Sequence, residues 1–233
     1  MAFTVVKEQD VFAWTWGSTK GKFKTVSGIE ETGFDRIYFT VERIINGRTR
    51  KYFERMALRD FVNVEDSWCV DAGLRLEPPS VAQPLQISPI FEEDMQQYVT
   101  LTSTNDVFEN KDEWWVRAAD GIFVIKEIIT NNEVKAFVVS PPQNKIYEDP
   151  EKRFFEVPEN EWTLGQTQKV FWGLWHLEGE EVAIQGDGSV FPNQVVTNGT
   201  VTLPDAVSKV TIGLPFEAAM QTLPPTVQEV PIS

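Results

Sequence analysis

Apolar and polar residues alternate with a period of two along most of this chain, in short segments that end at turn-forming dipeptides. The clearest case runs from Asp35 to Met56. Two runs rich in β-branched and aromatic residues there flank Asn46-Gly47, a dipeptide that accepts positive φ at both central positions of a type I′ turn. This loop pairs Ile45 with Arg48, Glu42 with Lys51, Val41 with Tyr52 and Thr40 with Phe53. Glu42–Lys51 and Val41–Tyr52 are favourable cross-strand choices, while Arg43 opposite Arg50 costs roughly a few tenths of a kcal/mol. An acidic residue beside Arg43 and Arg50, in this chain or in a neighbouring subunit, would offset that cost. A second block, Gly173 to Pro192, is punctuated in the same way at Asp187-Gly188.

The same reading places strands at Val11–Trp16 and Lys22–Ile29, joined by a polar turn over Gly17 to Gly21, and at Trp68–Leu74. Four prolines between Glu77 and Pro89 predict an extended linker, and Glu92 to Tyr98 predicts a short turn. Strands follow at Tyr98–Ser103, Glu113–Ala118, Ile122–Ile129 and Val134–Ser140, with turns at Asp120-Gly121 and Asn131-Asn132. The acidic segment Glu148 to Glu161 leads to a last set at Glu181–Gln185, Gln194–Thr197, Thr200–Leu203 and Lys209–Leu214, with a turn at Pro204-Asp205. The class is all-β. The expected organisation is a discontinuous outer β-domain (1–77 and 170–223) interrupted by a small β-barrel-like insert (90–145), with linkers at 78–89 and 146–169 and a tail at 224–233.

Composition narrows the chemistry. The 233 residues include a single histidine, His176, and a single cysteine, Cys69, which excludes an internal disulfide and cysteine-based metal knuckles and weakens most hydrolase triads. Cys69 is expected as a small buried hydrophobe on a strand, and His176 as a hydrogen-bonded structural residue. Lys and Arg number 21 against 35 Asp and Glu, a net charge of −14, the wrong sign for a general nucleic-acid binder but the right one for a wall that DNA slides past. No apolar run is long enough to span a membrane, and the N-terminus lacks an apolar signal core.

No sequence pattern assigns a cofactor, a metal site or a catalytic residue. Glu178, Glu180, Glu181 and Asp187 lie near Trp172 and Trp175, the residue types of a glycosidase, but acidic residues beside turns are usually solvated surface. Gly186 to Ser189, "GDGS", lacks the spaced oxygen ligands of a calcium loop and reads as a turn. Trp114 and Trp115 are strand neighbours that point to opposite faces, so one can be core and the other a partner contact.

Five strings carry a family likeness: "VFAWTWGSTKGKFKTV" (11–26), "DRIYFTVERIINGRTRKYFER" (35–55), "VDAGL" (70–74), "GLWHLEGEEVAIQGDG" (173–188) and "KVTIGLPFEAAMQTLP" (209–224). In this order they resemble the hub, or nozzle, proteins of short-tailed bacteriophage tails. Residues 99–140 resemble the FCCH-like β-barrel inserted in many such proteins, similar to a half-domain of ubiquitin-activating enzymes, a likeness of fold alone. Where family members carry His-Gly-Phe near the start of the insert, this chain has Asn105-Asp106-Val107-Phe108. Members also extend further at both ends, so the resemblance implies an excised, split or shortened relative.

What the resemblance implies is a non-enzymatic virion protein, made in the host bacterial cytoplasm and placed at the distal end of a short tail. Such proteins form a homo-oligomeric ring, generally sixfold, that continues the DNA-ejection channel and contacts adaptor and fibre or spike proteins. DNA passes through the lumen without specific binding. The expected subunit contacts are Arg43, Arg50 and Arg55, and the expected exposed aromatic contacts are Trp114, Trp115 and Trp175. The competing reading is a carbohydrate-binding or carbohydrate-cleaving tail module, with the tryptophans as stacking platforms.

Overall fold

A computed structural model describes residues 2–6, 11–15, 18–31, 33–57, 61, 63–142 and 154–217. Within them strands are the dominant element, at 61%, and no α-helix occurs among the described residues, so the class is all-β. The expected turn residues Gly17 and the acidic stretch before Phe154, like the tail from 224, lie outside the described residues.

Strands β1 (Ala2–Val6) and β2 (Val11–Thr15) pair with each other. The expected partner of β2 was the strand after the polar turn. That strand, β3 (Lys22–Glu31), pairs instead with β4 (Phe34–Ile45), which pairs in turn with β5 (Arg48–Arg55), giving a three-stranded antiparallel sheet. The β4–β5 register is the one the Asn46-Gly47 loop demands, with Val41 opposite Tyr52, Glu42 opposite Lys51 and Arg43 opposite Arg50. Asn46 and Gly47 have φ of 48° and 70°, the left-handed pair that a type I′ turn requires.

Next in the chain are β6 (Asp71–Leu76), β7 (Leu85–Ile87), β8 (Phe91–Glu93), β9 (Gln96–Ser103), β10 (Trp115–Ala118), β11 (Gly121–Thr130), β12 (Glu133–Ser140), β13 (Phe155–Val157) and β14 (Trp162–Gly165). Strands β7 to β14 form one antiparallel sheet in the order β13-β7-β9-β12-β11-β10-β14, with β8 also pairing β9. Three of these strands fall in stretches that the prolines and acidic residues made read as linkers. Strand β7 lies in 78–89, and β13 and β14 lie in 146–169. Ser80 bridges Thr163, and the Val81 N–H donates to the Trp162 carbonyl at 2.9 Å, so the segment entering β7 lies against β14 and the sheet nearly closes on itself. The inward positions of β9, β10 and β12 alternate as read: Val99, Leu101, Val116, Ala118, Val134, Ala136 and Val138 are buried around Phe108, Phe123 and Trp162. The turn between β10 and β11 sits at Ala119-Asp120, both at positive φ, one residue earlier than expected.

The remaining strands, β15 (Gln168–Trp172), β16 (Glu181–Gly186), β17 (Ser189–Val195), β18 (Thr200–Val207) and β19 (Val210–Leu214), surround a second core of residues such as Leu174, Leu177, Val182, Ile184, Leu203 and Ile212. Here β6 pairs with β19, Leu74 opposite Ile212 and Leu76 opposite Val210. A strand from before the barrel-like sheet is thus joined to one from after it, in the order β17-β16-β19-β6. Pro204 and Asp205 do not form the expected turn, because β18 runs through them to Val207. The register of β18 against β15 shifts there, between Gln168 and Val170, which accommodates a residue that has no N–H to give the ladder. Cys69 is exposed, in the irregular approach to β6, rather than buried in a strand.

Trp162 is the largest fully buried side chain of the barrel-like core, and its indole N–H donates to the Gln83 carbonyl. Trp162→Ala should cost about 3–5 kcal/mol in urea unfolding, whereas Val190→Ala on the exposed β17 should cost less than about 0.5 kcal/mol.

Candidate functional site

The two cores meet at a charged junction rather than a shared apolar core. It begins with a 3-10 turn, Val64–Asp66, held on one side by Gln185, whose side-chain amide donates to the Val64 carbonyl at 2.9 Å. On the other side the Asn63 amide donates to the Asp120 carbonyl of the β10–β11 turn at 2.9 Å. Between them Arg117 of β10 reaches out of the barrel-like sheet. It pairs with the buried Glu65 and donates to Asp187 at 2.8 Å and to the Ser208 hydroxyl at 2.7 Å. Asp187 also accepts the backbone N–H groups of Ser208 and Lys209, both at 2.9 Å. Lys209, itself buried, pairs with Asp66 and lies 3.4 Å from Glu77. The "GDGS" segment is therefore a turn whose aspartate knits the junction together. Nothing local in the sequence marks Arg117, which reads as one polar position on an alternating strand.

Beside the junction an open cleft of about 410 Å³ is lined by Pro78, Pro79, Trp114 and Leu164 from one side and by Val170, Phe171 and Trp172 from the other. Trp114 is half-buried against the barrel-like core, with the Lys111 ammonium 3.7 Å from its ring centre. Trp115 is half-buried and does not line the cleft. Trp175 is exposed and also lies away from the cleft, over Gly199, where an added Cβ would stand 2.6 Å from the indole. The structure thus separates the three tryptophans that sequence grouped as contacts. It brings in Trp172, which sequence reasoning had placed only beside the acidic cluster.

Three of the four acidic residues weighed for a glycosidase have structural partners, and Glu181 is exposed. Glu178 accepts the backbone N–H groups of Asn198 and Gly199 at 2.9 and 2.7 Å, Glu180 pairs with Lys20, and Asp187 sits in the junction. His176 lies 3.0 Å from the Ala72 carbonyl through Nε2, and its own carbonyl accepts the Tyr52 hydroxyl at 2.8 Å. Among the described residues no cluster of His, Cys, Asp and Glu could hold a metal ion, and no helix is long and apolar enough to cross a membrane.

The three arginines behave differently from one another. Arg43 is 1% exposed. Its guanidinium forms a bidentate pair with Glu54 at 2.8 and 3.0 Å and donates to Thr19 at 2.7 Å and to the Lys20 carbonyl. The acid that offsets the Arg43–Arg50 repulsion thus belongs to this chain, and Arg43 is not a surface contact. Gly21 permits the arrangement: at φ 148° a Cβ there would stand 2.7 Å from the Glu42 carbonyl oxygen. Arg50 remains exposed opposite it, and the exposed Arg55 pairs with Glu31 at 3.2 Å.

Glu31 also accepts the Tyr38 hydroxyl, and this bond holds its carboxylate below the ordinary value; desolvation opposes the effect and the Arg55 charge adds to it. The same bond raises the Tyr38 hydroxyl. A depressed carboxylate stabilises the fold above its unfolded pKa and loses that contribution as pH falls through the folded value.

No protein-family model and no curated protein matches the chain.

Tyr38→Phe should move the Glu31 titration, followed by NMR between about pH 2 and pH 6, up toward an ordinary glutamate. Arg117→Ala should destabilise the chain by about 3–5 kcal/mol, because it leaves the buried Glu65 without its ion-pair partner. Adding Glu65→Gln to Arg117→Ala should recover part of that loss in urea unfolding, a coupling that independent sites would not give.

Proposed function

We propose that the chain is a non-enzymatic structural subunit of a bacteriophage short tail, part of the hub or nozzle ring that continues the DNA-ejection channel. In this reading it is made in the host cytoplasm and built into the virion against adaptor and fibre or spike proteins. The observation that carries the reading is the β3–β5 sheet. It leaves long strands and large apolar side chains uncovered, as a subunit designed to be completed by a neighbour would. The ordered strings of sequence that resemble tail hubs support it, and so does the excess of acidic residues, which suits a wall that DNA must pass without sticking. The engagement of Glu178, Glu180 and Asp187 in structural bonds weighs against carbohydrate cleavage. A carbohydrate-binding role rests on the cleft that Trp114 and Trp172 share.

Negative-stain images of the chain at concentrations where light scattering shows assembly should reveal closed rings with an axial opening wide enough for duplex DNA. A particle with no opening would overturn the channel reading. A glycan-array signal that Trp172→Ala removes would favour the carbohydrate reading instead.

A further inference from the structure

The β3–β5 sheet is incomplete in a specific way. On the face that carries Val41, the end nearest the Asn46-Gly47 turn is covered: Val41, Arg43 and Ile45 are buried, and Tyr52 reaches His176. On the edge strand of this face Phe23, opposite Val41, and Val26, opposite Phe39, are open, Val26 at 73% exposure. The opposite face is uncovered along its length. There the Thr25 hydroxyl donates to that of Thr40, Tyr38 stacks on Phe53 at 5.2 Å, and Ile44 and Phe53 are 66% and 71% exposed. Among the described residues strand β3 is also an edge, since it pairs there only with β4, and nine of its ten residues are exposed. A long edge strand with apolar side chains open on both of its faces is a docking surface or an aggregation hazard.

Charge identifies what docks there. Residues 18–57, the sheet and the segment entering it, carry nine lysines and arginines against five aspartates and glutamates, a net of +4, whereas the whole chain is −14, so everything outside residues 18–57 sums to −18. The sheet is the one long basic segment of an acidic chain. Two such sheets packed on each other would oppose like charges, whereas the same sheet laid on the body of another copy would oppose unlike ones. From this we infer that the β3–β5 sheet is the subunit interface, and that a second copy of this chain covers it head to tail, basic apolar sheet on acidic body. A head-to-tail contact uses two different surfaces per copy, so it propagates and closes into a ring when the rotation allows. The inference deepens the subunit reading above and rests on it for the ring, although the contact itself does not require closure.

The test uses the full chain, with mass measured by light scattering after size exclusion across concentration. At low salt the wild type should exceed the monomer mass of 26.6 kDa. Its dissociation constant should rise about tenfold or more between 50 and 500 mM salt as screening weakens the charge match. The double variant Ile44→Asp/Phe53→Asp should run as a monomer while keeping the wild-type circular dichroism and a cooperative thermal transition, because both side chains are exposed. Trp172→Asp, exposed on β15, should still assemble. A tagged Ile44→Asp/Phe53→Asp chain mixed with wild type should enter its oligomers, since its body can still accept a neighbour's sheet. Exclusion of the tagged chain would mean sheet-on-sheet packing and overturn the inference. So would a wild type that stays monomeric at every concentration, or one whose sheet binds duplex DNA instead of protein. Assembly into open filaments or dimers that follow this pattern would leave the interface standing and remove the ring reading alone.

Discussion

The structure depends on a buried charge, the Arg117 guanidinium between Glu65, Asp187 and Ser208. The barrel-like sheet and the β15–β19 region each close around their own apolar core, so hydrophobic burial alone would leave them free to turn against each other. A buried ion pair adds little net stability, since desolvation offsets most of the attraction, but it tolerates few geometries. The junction accordingly draws on residues far apart in the chain: a turn before β6, a strand of the barrel-like sheet, and both ends of the β16–β19 region. Arg117 is the member the others share: without it the buried Glu65 loses its ion-pair partner. This is why an aspartate in a "GDGS" turn, which resembles a cation ligand in sequence, acts as an acceptor for two backbone N–H groups and an arginine.

Arg43 solves a similar problem at the base of the β3–β5 sheet. It is buried, yet its Nε and both terminal nitrogens find acceptors in Glu54, Thr19 and the Lys20 carbonyl. The inner end of the sheet is thereby fixed to the segment that enters it, and Tyr52 and Lys20 attach it to the His176–Glu180 region. Among the described residues the sheet projects past this anchored end with apolar side chains open on both faces.

Much of the fold was legible where it is local. The Asn46-Gly47 loop fixes the β4–β5 register because a two-residue turn allows one pairing, and strict alternation marks β9, β10 and β12 as half-buried strands. What escaped reading is what distance decides. Strands β7 and β13 have three residues each and lie among prolines and acids, so neither shows a period; pairing with each other and with β9 is what makes them strands. The pairing of β2 with β1 rather than β3, and of β6 with β19, is likewise a choice among partners that no single segment states. Trp68 to Val70 looked like the start of a strand because their residue types suit one, but the pairing with β19 begins only at Asp71. Of the candidate surface, the Arg43–Arg50 repulsion could be seen from the loop register, and the need for an acid with it. That the acid is Glu54, diagonal on the same face, required the fold.

The segregation of charge gives the proposed assembly a consequence of its own. A free copy shows solvent both a basic sheet and an acidic body, and phosphates would meet attraction at one and repulsion at the other. When each sheet is laid on a neighbour, the basic segment is covered, and what remains outside comes from the part of the chain that sums to −18. Assembly would therefore make the surface facing DNA more uniformly negative than that of a single copy, with no change in sequence and no bound ion. Since a wall that repels phosphates along its length holds the duplex at no one point, passage would be least hindered only when the ring is complete. In the proposed ring, the same basic residues that would make a lone copy a poor conduit would be the ones that join copies into a good one.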